Sequence, residues 1–176
     1  PSRPTTPALG KTGTMPLLPL LLAVAQAPLV LDSGLAIESV GRGGRIPFPT
    51  DALVQQIVDG TWKAPAEGDK IANRTWAAVK ANDQGWFEGR AFQGGYAAFI
   101  VRKDRTQLMV MNATGHNLAY VNGEPRGGDV YGYGYNRVPV KLNAGDNHLL
   151  FATGRGRLRV ALEPMTQPVM FNRDDL

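Results

Sequence analysis

From Trp76 onward, apolar and polar residues alternate along the chain, and a period of two is the spacing of a β-strand with one buried face. Gly, Asn and Asp residues typical of turns separate the alternating runs. The pattern predicts six strands, at residues 96–101, 107–112, 117–121, 137–142, 148–152 and 157–162. Many short antiparallel strands indicate an all-β fold, here an antiparallel jelly-roll β-sandwich.

Two of these strands allow more specific predictions. The strand at 107–112 is apolar on both sides, as in a central strand. In the strand at 157–162, the apolar positions are predicted to face the core: Leu158, Val160 and Leu162. Arg155, Arg157 and Arg159 are predicted to form a solvated edge that prevents the addition of a further strand.

One segment is predicted to be a short helix. Thr50 or Asp51 can cap its start, and Gly60 ends it. The apolar residues follow helical spacing and form one predicted stripe: Leu53, Val54, Ile57 and Val58.

Two turns have a predictable geometry. Asn122-Gly123 suits a type I′ hairpin, which needs positive φ at both positions. Gly145 lets the chain turn, and the side chain of Asn147 is expected to bond back to the backbone of that turn.

The N-terminal segment resembles an export signal. After a lead-in rich in Pro, Thr and Gly, Met15 opens an apolar run at 17–25 that is shorter than the roughly 20 residues of a membrane span. Two small-x-small sites follow, at 23–25 and 25–27. We therefore expect a secreted, periplasmic or cell-envelope protein without a transmembrane span. The alternative is an apolar N-terminal strand or helix packed on the domain.

These observations divide the chain into four predicted parts. They are a lead-in with the signal-like segment (1–27), an extension with the short helix (28–60), the jelly-roll β-sandwich (61–163) and a linker to a downstream domain (164–176).

Composition excludes most catalytic chemistry. The 176 residues contain no cysteine, so thiolate metal sites and cysteine nucleophiles are excluded. Ser2, Ser33 and Ser39 lie outside any G-x-S-x-G motif, and the two histidines, His116 and His148, form no metal-binding motif. The net charge of +4 is below that of a dedicated nucleic-acid binder. The sequence therefore predicts no enzyme activity in this chain and no nucleic-acid partner.

The most distinctive motif is the segment 126–135. In an extended backbone, Tyr131, Tyr133 and Tyr135 would share one face. Aromatic faces beside charged groups suit a sugar, whose C–H face stacks and whose hydroxyls need donors and acceptors. The predicted ligand-binding residues are Arg126, Asp129, Tyr131, Tyr133, Tyr135 and, as a further platform, Trp86. In the alternative, the tyrosines pack against Trp62, Trp76 or Trp86.

No cofactor is predicted. Glu124, Asp129 and Asp146 could supply oxygens to a structural Ca²⁺ ion, although no EF-hand-like run of ligands is present. In the alternative, these three acidic residues simply lie in turns and bind no ion.

Two stretches carry a resemblance to a known family. Tyr120-Val121-Asn122-Gly123 reads Y-V-N-G, and residues 139–149 read P-V-x-L-x-x-G-x-N-x-L. The region 60–163 thereby resembles the galactose-binding-like jelly-roll accessory domains at the N-terminus of secreted bacterial hydrolases of the prolyl-oligopeptidase-like or esterase-like kind. It is more loosely similar to the sugar-binding domain of family 2 glycoside hydrolases.

This resemblance implies a non-catalytic accessory domain of a secreted or envelope hydrolase, with carbohydrate as its partner. The alternatives are a structural domain that packs on a downstream α/β-hydrolase domain, or a subunit of an extracellular assembly. In either hydrolase case, the resemblance places the catalytic domain, expected to be a serine hydrolase, beyond Leu176.

Overall fold

The computed structural model describes residues 27–41 and 51–165. Within them lie thirteen strands, one α-helix (α1, Ala52–Val58) and one 3-10 turn (Arg90–Phe92). The strands are β1 (Leu29–Val30), β2 (Ser33–Ile37), β3 (Lys70–Ile71), β4 (Arg74–Thr75), β5 (Ala77–Lys80), β6 (Phe87–Glu88), β7 (Tyr96–Lys103), β8 (Gln107–Thr114), β9 (His116–Val121), β10 (Glu124–Gly127), β11 (Arg137–Leu142), β12 (Gly145–Thr153) and β13 (Arg157–Pro164).

Two antiparallel sheets pack face to face as a β-sandwich. The first has the order β1-β13-β8-β11, with β6 also paired to β13, and the second has the order β10-β9-β12-β7-β2-β5. From β6 to β13 the pairings β6-β13-β8-β11 and β7-β12-β9-β10 place four strands in each sheet, which is the arrangement of a jelly roll. The predicted fold class is confirmed.

The main core lies between the two sheets. Phe87 of the first sheet meets Phe99 of the second, with ring centroids 5.2 Å apart, and Phe99 in turn contacts Phe151 at 5.8 Å. In β13 the predicted alternation is confirmed, since its inward apolar side chains are fully buried: Leu158, Val160 and Leu162. Each such side chain contributes roughly 1.5–3 kcal/mol through removal of its surface from water.

The helix covers the outer face of the second sheet. Leu53 of α1 and Trp76 pack there against outward residues of the sheet, among them Ile37 and Leu150. The predicted stripe is too wide, because Val54 and Val58 are exposed. A helix of seven residues touches the sheet along one line, and the positions next to that line face water.

Asp51 fixes the start of α1. One carboxylate oxygen accepts hydrogen bonds from the N–H groups of Leu53 (2.9 Å) and Val54 (3.1 Å), and the other accepts from the hydroxyl of Tyr96 (2.8 Å). The predicted cap is confirmed. Burial and this hydrogen bond to Asp51 raise the pKa of Tyr96 above its usual range.

The arginine-bearing strand is not an edge. β13 pairs with β8 on one side and also with β1 and β6, so the prediction that its arginines form a strand-blocking edge is wrong. The register pairs Leu29 with Leu162, Pro164 with Met109, and Arg159 with Thr114. The position of β8 between β13 and β11 confirms the predicted central strand, although Leu108 on its outer face is half exposed.

Both predicted turns are confirmed. Asn122 (φ 52°) and Gly123 (φ 85°) join β9 to β10 with positive φ at both positions. Asn147 is fully buried, and its side chain accepts from the N–H of Asn143 (2.7 Å) and donates to the carbonyls of Asn143 (2.9 Å) and Gly145 (3.2 Å).

The signal-like segment lies outside the described residues except for Ala27, as does the predicted linker beyond residue 165. Part of the predicted 28–60 extension belongs to the sandwich, since β1 is a strand of the first sheet and β2 is a strand of the second. Among the described residues, no helix is long and apolar enough to cross a membrane.

Candidate ligand-binding loop

The segment 128–136, here called the tyrosine loop, connects β10 to β11. It lies at the end of the sandwich where β8 ends and β13 begins. At Gly128 the loop passes directly over β9, and a Cβ there would overlap the carbonyl of Asn117. At Gly134 it lies over the side chain of Thr114, 3.1 Å from where a Cβ would stand. Glycine therefore lets the loop rest directly on the sandwich.

Asp129 organises the loop from beneath. It is 7% exposed, and its two carboxylate oxygens accept hydrogen bonds from the N–H groups of Tyr133 (3.1 Å) and Gly134 (2.8 Å). Its own carbonyl accepts from the N–H of Gly132 (2.9 Å). Hydrogen bonds to a charged acceptor are roughly twice as strong as neutral ones. Asp129 thus holds the loop and does not face outward as a ligand acceptor.

Two residues that the sequence did not single out for this role secure the loop from its sides. The side-chain amide of Asn136 donates to the carbonyl of Gly127 (3.0 Å) and closes the loop. The guanidinium of Arg155 donates twice to the carbonyl of Val130, at 3.2 and 2.8 Å. The Arg155 contact joins residues 25 positions apart, so no local pattern signals it.

The three tyrosine rings lie in a row on the outside of the loop. Tyr131, Tyr133 and Tyr135 are 73%, 69% and 84% exposed. Successive ring centroids are 5.9 Å apart, with the first two rings inclined by 21° and the next two by 33°. This spacing lies within the roughly 4.5–7 Å between the centroids of interacting aromatic rings, and the exposure of each ring leaves most of its surface open to water.

The backbone achieves this alignment in an unexpected way. The loop is not extended, because Gly132 (φ 72°) and Gly134 (φ 73°) both adopt left-handed conformations that bring the next tyrosine back to the same side. The alternative in which the tyrosines pack against tryptophans is wrong. Trp76 is buried beneath α1 and the tyrosine rings are exposed.

The remaining predicted site residues have other contacts. Arg126 on β10 forms an ion pair with Glu124 and donates to the carbonyl of Pro125 (2.8 Å). Trp86 lies on the outer face of the first sheet beneath the guanidinium groups of Arg157 and Arg159. The structure therefore joins the three tyrosines and Asp129 in one loop and gives Arg126 and Trp86 partners elsewhere.

A buried histidine lies at the base of the tyrosine loop. His116 is 1% exposed and packs edge-on against Phe151, with centroids 5.3 Å apart. Neither ring nitrogen has a hydrogen-bond partner among the described residues. Burial lowers the pKa of His116 from its ordinary value of 6.5; the charge of Asp129 and the nearby backbone of Gly127, which falls short of hydrogen-bond geometry, oppose this shift.

The acidic residues proposed for Ca²⁺ do not converge. The Asp129 carboxylate binds loop amides, Glu124 pairs with Arg126, and Asp146 pairs with Arg102 at 3.6 Å. Within 27–41 and 51–165, no group of three His, Asp or Glu side chains could hold a metal ion. The described residues assemble no site of the kind considered for Ca²⁺.

A second concave region lies on the outer face of the second sheet. Two adjoining cavities of about 260 and 430 Å³ share Trp62 and His148. Leu35, Pro65 and Leu149 contribute to their largely apolar walls. We call this region the Trp62 groove. Its walls come from distant parts of the chain, which is why sequence patterns did not reveal it.

Comparison with known proteins adds no relative. No family model, curated protein or solved structure matches the chain.

Proposed function

We propose that this chain is a non-catalytic accessory β-sandwich of a secreted or envelope hydrolase, and that its tyrosine loop binds carbohydrate. The observation that carries the proposal is the row of three exposed tyrosine rings on a loop held by Asp129. Large aromatic side chains exposed together mark an interaction surface. The resemblance of residues 60–163 to galactose-binding-like domains supports the same function.

The chemistry of the loop suits a sugar. The apolar C–H face of a pyranose can stack on a tyrosine ring, and the phenol hydroxyls can exchange hydrogen bonds with sugar hydroxyls. Because the buried carboxylate already orders the backbone, little conformational entropy is lost when a ligand binds. A repeating polymer can contact several rings of the row at once.

The test measures binding of the full chain to a panel of neutral polysaccharides by affinity electrophoresis and calorimetry. We expect Tyr133→Ala to weaken binding about tenfold, because stacking on one ring is worth roughly 1 kcal/mol beyond its buried area. Tyr133→Phe keeps the ring and serves as the matched control. Binding that survives Tyr133→Ala but is lost in Trp62→Ala would move the site to the Trp62 groove.

One observation favours the alternative of a domain that packs on a hydrolase domain. Ile100 lies beside Trp62 in the apolar groove and is 60% exposed. An apolar surface of this kind suits a protein neighbour. Ile100→Glu would weaken such packing and leave sugar binding by the tyrosine loop unchanged.

A further inference from the structure

Two arginines share one indole on the outer face of the first sheet. Arg157 and Arg159 alternate with buried residues of β13, so both project outward. The guanidinium carbons lie 4.4 and 5.0 Å from the ring centroid of Trp86, within the range of a cation–π interaction. Both arginines are exposed.

Neither arginine forms an ion pair with a carboxylate of the described residues. Glu88, opposite Arg157 in the β6–β13 register, lies 3.5 Å from the side-chain amide of Asn82 and makes no ion pair with Arg157. Two like charges held near one ring repel each other, and the indole face offsets only part of that repulsion. An anion bound between them would remove the rest.

The position of the two guanidinium groups over the Trp86 ring also prepares them for a particular class of anion. Contact with the aromatic face restrains each group and leaves N–H donors available for a ligand. Planar donors of this kind match the paired oxygens of a carboxylate or a sulfate.

The arginine pair adjoins the tyrosine loop. Arg155, which holds the carbonyl of Val130 in that loop, is two residues before Arg157. Two residues span at most about 7 Å of backbone. A polymer that contacts the tyrosines can therefore continue over Arg157 and Arg159.

We infer that the ligand is an anionic polysaccharide, and that Arg157 and Arg159, braced on Trp86, bind its carboxylate or sulfate groups. This inference rests on the proposed function and names its substrate class. A single-stranded nucleic acid is the less favoured anion, because the net charge of +4 is below that of a dedicated nucleic-acid binder.

Matched oligosaccharides test the inference in the full chain. Oligogalacturonate and its methyl ester share one backbone and differ in charge, and a sulfated oligosaccharide with its unsulfated parent forms a second such pair. In calorimetry at low salt, we expect at least one charged member to bind about tenfold more tightly than its neutral partner, with the difference declining as salt increases. The double variant Arg157→Gln/Arg159→Gln should remove this difference.

Three further variants make the outcome specific. Arg102→Gln/Arg105→Gln removes two positive charges from the opposite end of the sandwich and should leave the preference intact. Arg157→Lys/Arg159→Lys keeps the charge but not the planar donors, and it should retain only part of the preference for the charged oligosaccharide. Tyr133→Ala should weaken the charged and neutral members alike, which tests the proposed function separately.

The inference is overturned by equal affinity for charged and neutral members, by failure of every charged member to bind, or by a preference that survives Arg157→Gln/Arg159→Gln. Tighter binding of a single-stranded oligonucleotide of equal charge would assign the surface to nucleic acid instead. Neutral binding that persists in any of these cases leaves the proposed function standing.

Discussion

The tyrosine loop and the turn that joins β11 to β12, residues 143–147, are both built around one buried polar side chain. In the tyrosine loop, Asp129 accepts hydrogen bonds from two amides of the loop itself. In the other turn, Asn147 reaches beyond the turn and also bonds the carbonyl of Val101 on β7 (3.2 Å) and the side chain of Asn122 (2.8 Å). The first polar centre serves its own loop, whereas the second ties three parts of the sandwich together.

The difference explains why only one of these segments displays large side chains. Because Asp129 satisfies the backbone from inside, the loop needs no apolar side chain packed beneath it. Its three tyrosines are therefore free to face water. The turn around Asn147 serves the fold and presents only small or polar residues. A buried polar centre combined with outward aromatic rings thus distinguishes the proposed binding loop from a structural turn.

The largest effect is expected at the structural turn. Asn147→Ala leaves several buried backbone groups without partners, and we expect it to lower the free energy of unfolding by about 3 kcal/mol in urea titrations. Asn143→Ala is the control in the same turn, since its exposed side chain should matter by less than about 0.5 kcal/mol. A loss below about 1 kcal/mol for Asn147→Ala would contradict the central role of this side chain.

A smaller and more local effect is expected at the tyrosine loop. Asp129→Ala removes two charge-assisted hydrogen bonds, and we expect a loss of about 1–2 kcal/mol. Hydrogen exchange of the Tyr133 and Gly134 amides should accelerate, while exchange around Asn147 stays unchanged. Asp146→Ala removes an exposed carboxylate as a control and should alter neither region. Unchanged exchange at Tyr133 in Asp129→Ala would show that the loop is ordered by other contacts.

The smallest effect depends on pH and should separate the two regions further. The pKa of His116 is lowered by burial, so between its folded value and the ordinary 6.5 the unfolded chain binds the extra proton. The contribution of His116 to the free energy of unfolding is therefore complete above pH 6.5 and declines as the pH falls below it. Asn147, an amide, does not titrate.

Urea titrations at several pH values measure this decline. His116→Phe keeps a ring against Phe151 and should flatten the profile just below pH 6.5. Hydrogen exchange should show that acid opens the tyrosine loop before the turn around Asn147. The same slope in His116→Phe would assign the pH dependence to another group.

Local patterns predicted much of the fold. The Asn122-Gly123 hairpin, the return bonds of Asn147 and the alternation of β13 depend on neighbours in sequence, and all three are confirmed. The predictions that were wrong concern features that depend on residues distant in the sequence. Val54 and Val58 face water because of how α1 meets the sheet, and β13 is flanked because β1 and β6 pair with it.

The candidate loop was predicted in part. The period of two correctly grouped Tyr131, Tyr133 and Tyr135, although left-handed glycines rather than an extended strand align them. The role of Asp129 as an internal acceptor was not predicted, since an acid in a Gly-rich segment looks the same whether it faces inward or outward. The Trp62 groove requires the tertiary structure.

The pairing of β1 with β13 determines how this domain presents its loop to its surroundings. Leu29 lies opposite Leu162, so the chain arrives before β1 and departs after β13 on the same side of the sandwich, near Met109. The tyrosine loop occupies the other end of β13, whose eight residues extend about 25 Å. The described chain therefore enters at Ala27 and leaves at Met165 on the side of the sandwich away from the tyrosine loop, so the exposed tyrosine rings lie far from both points.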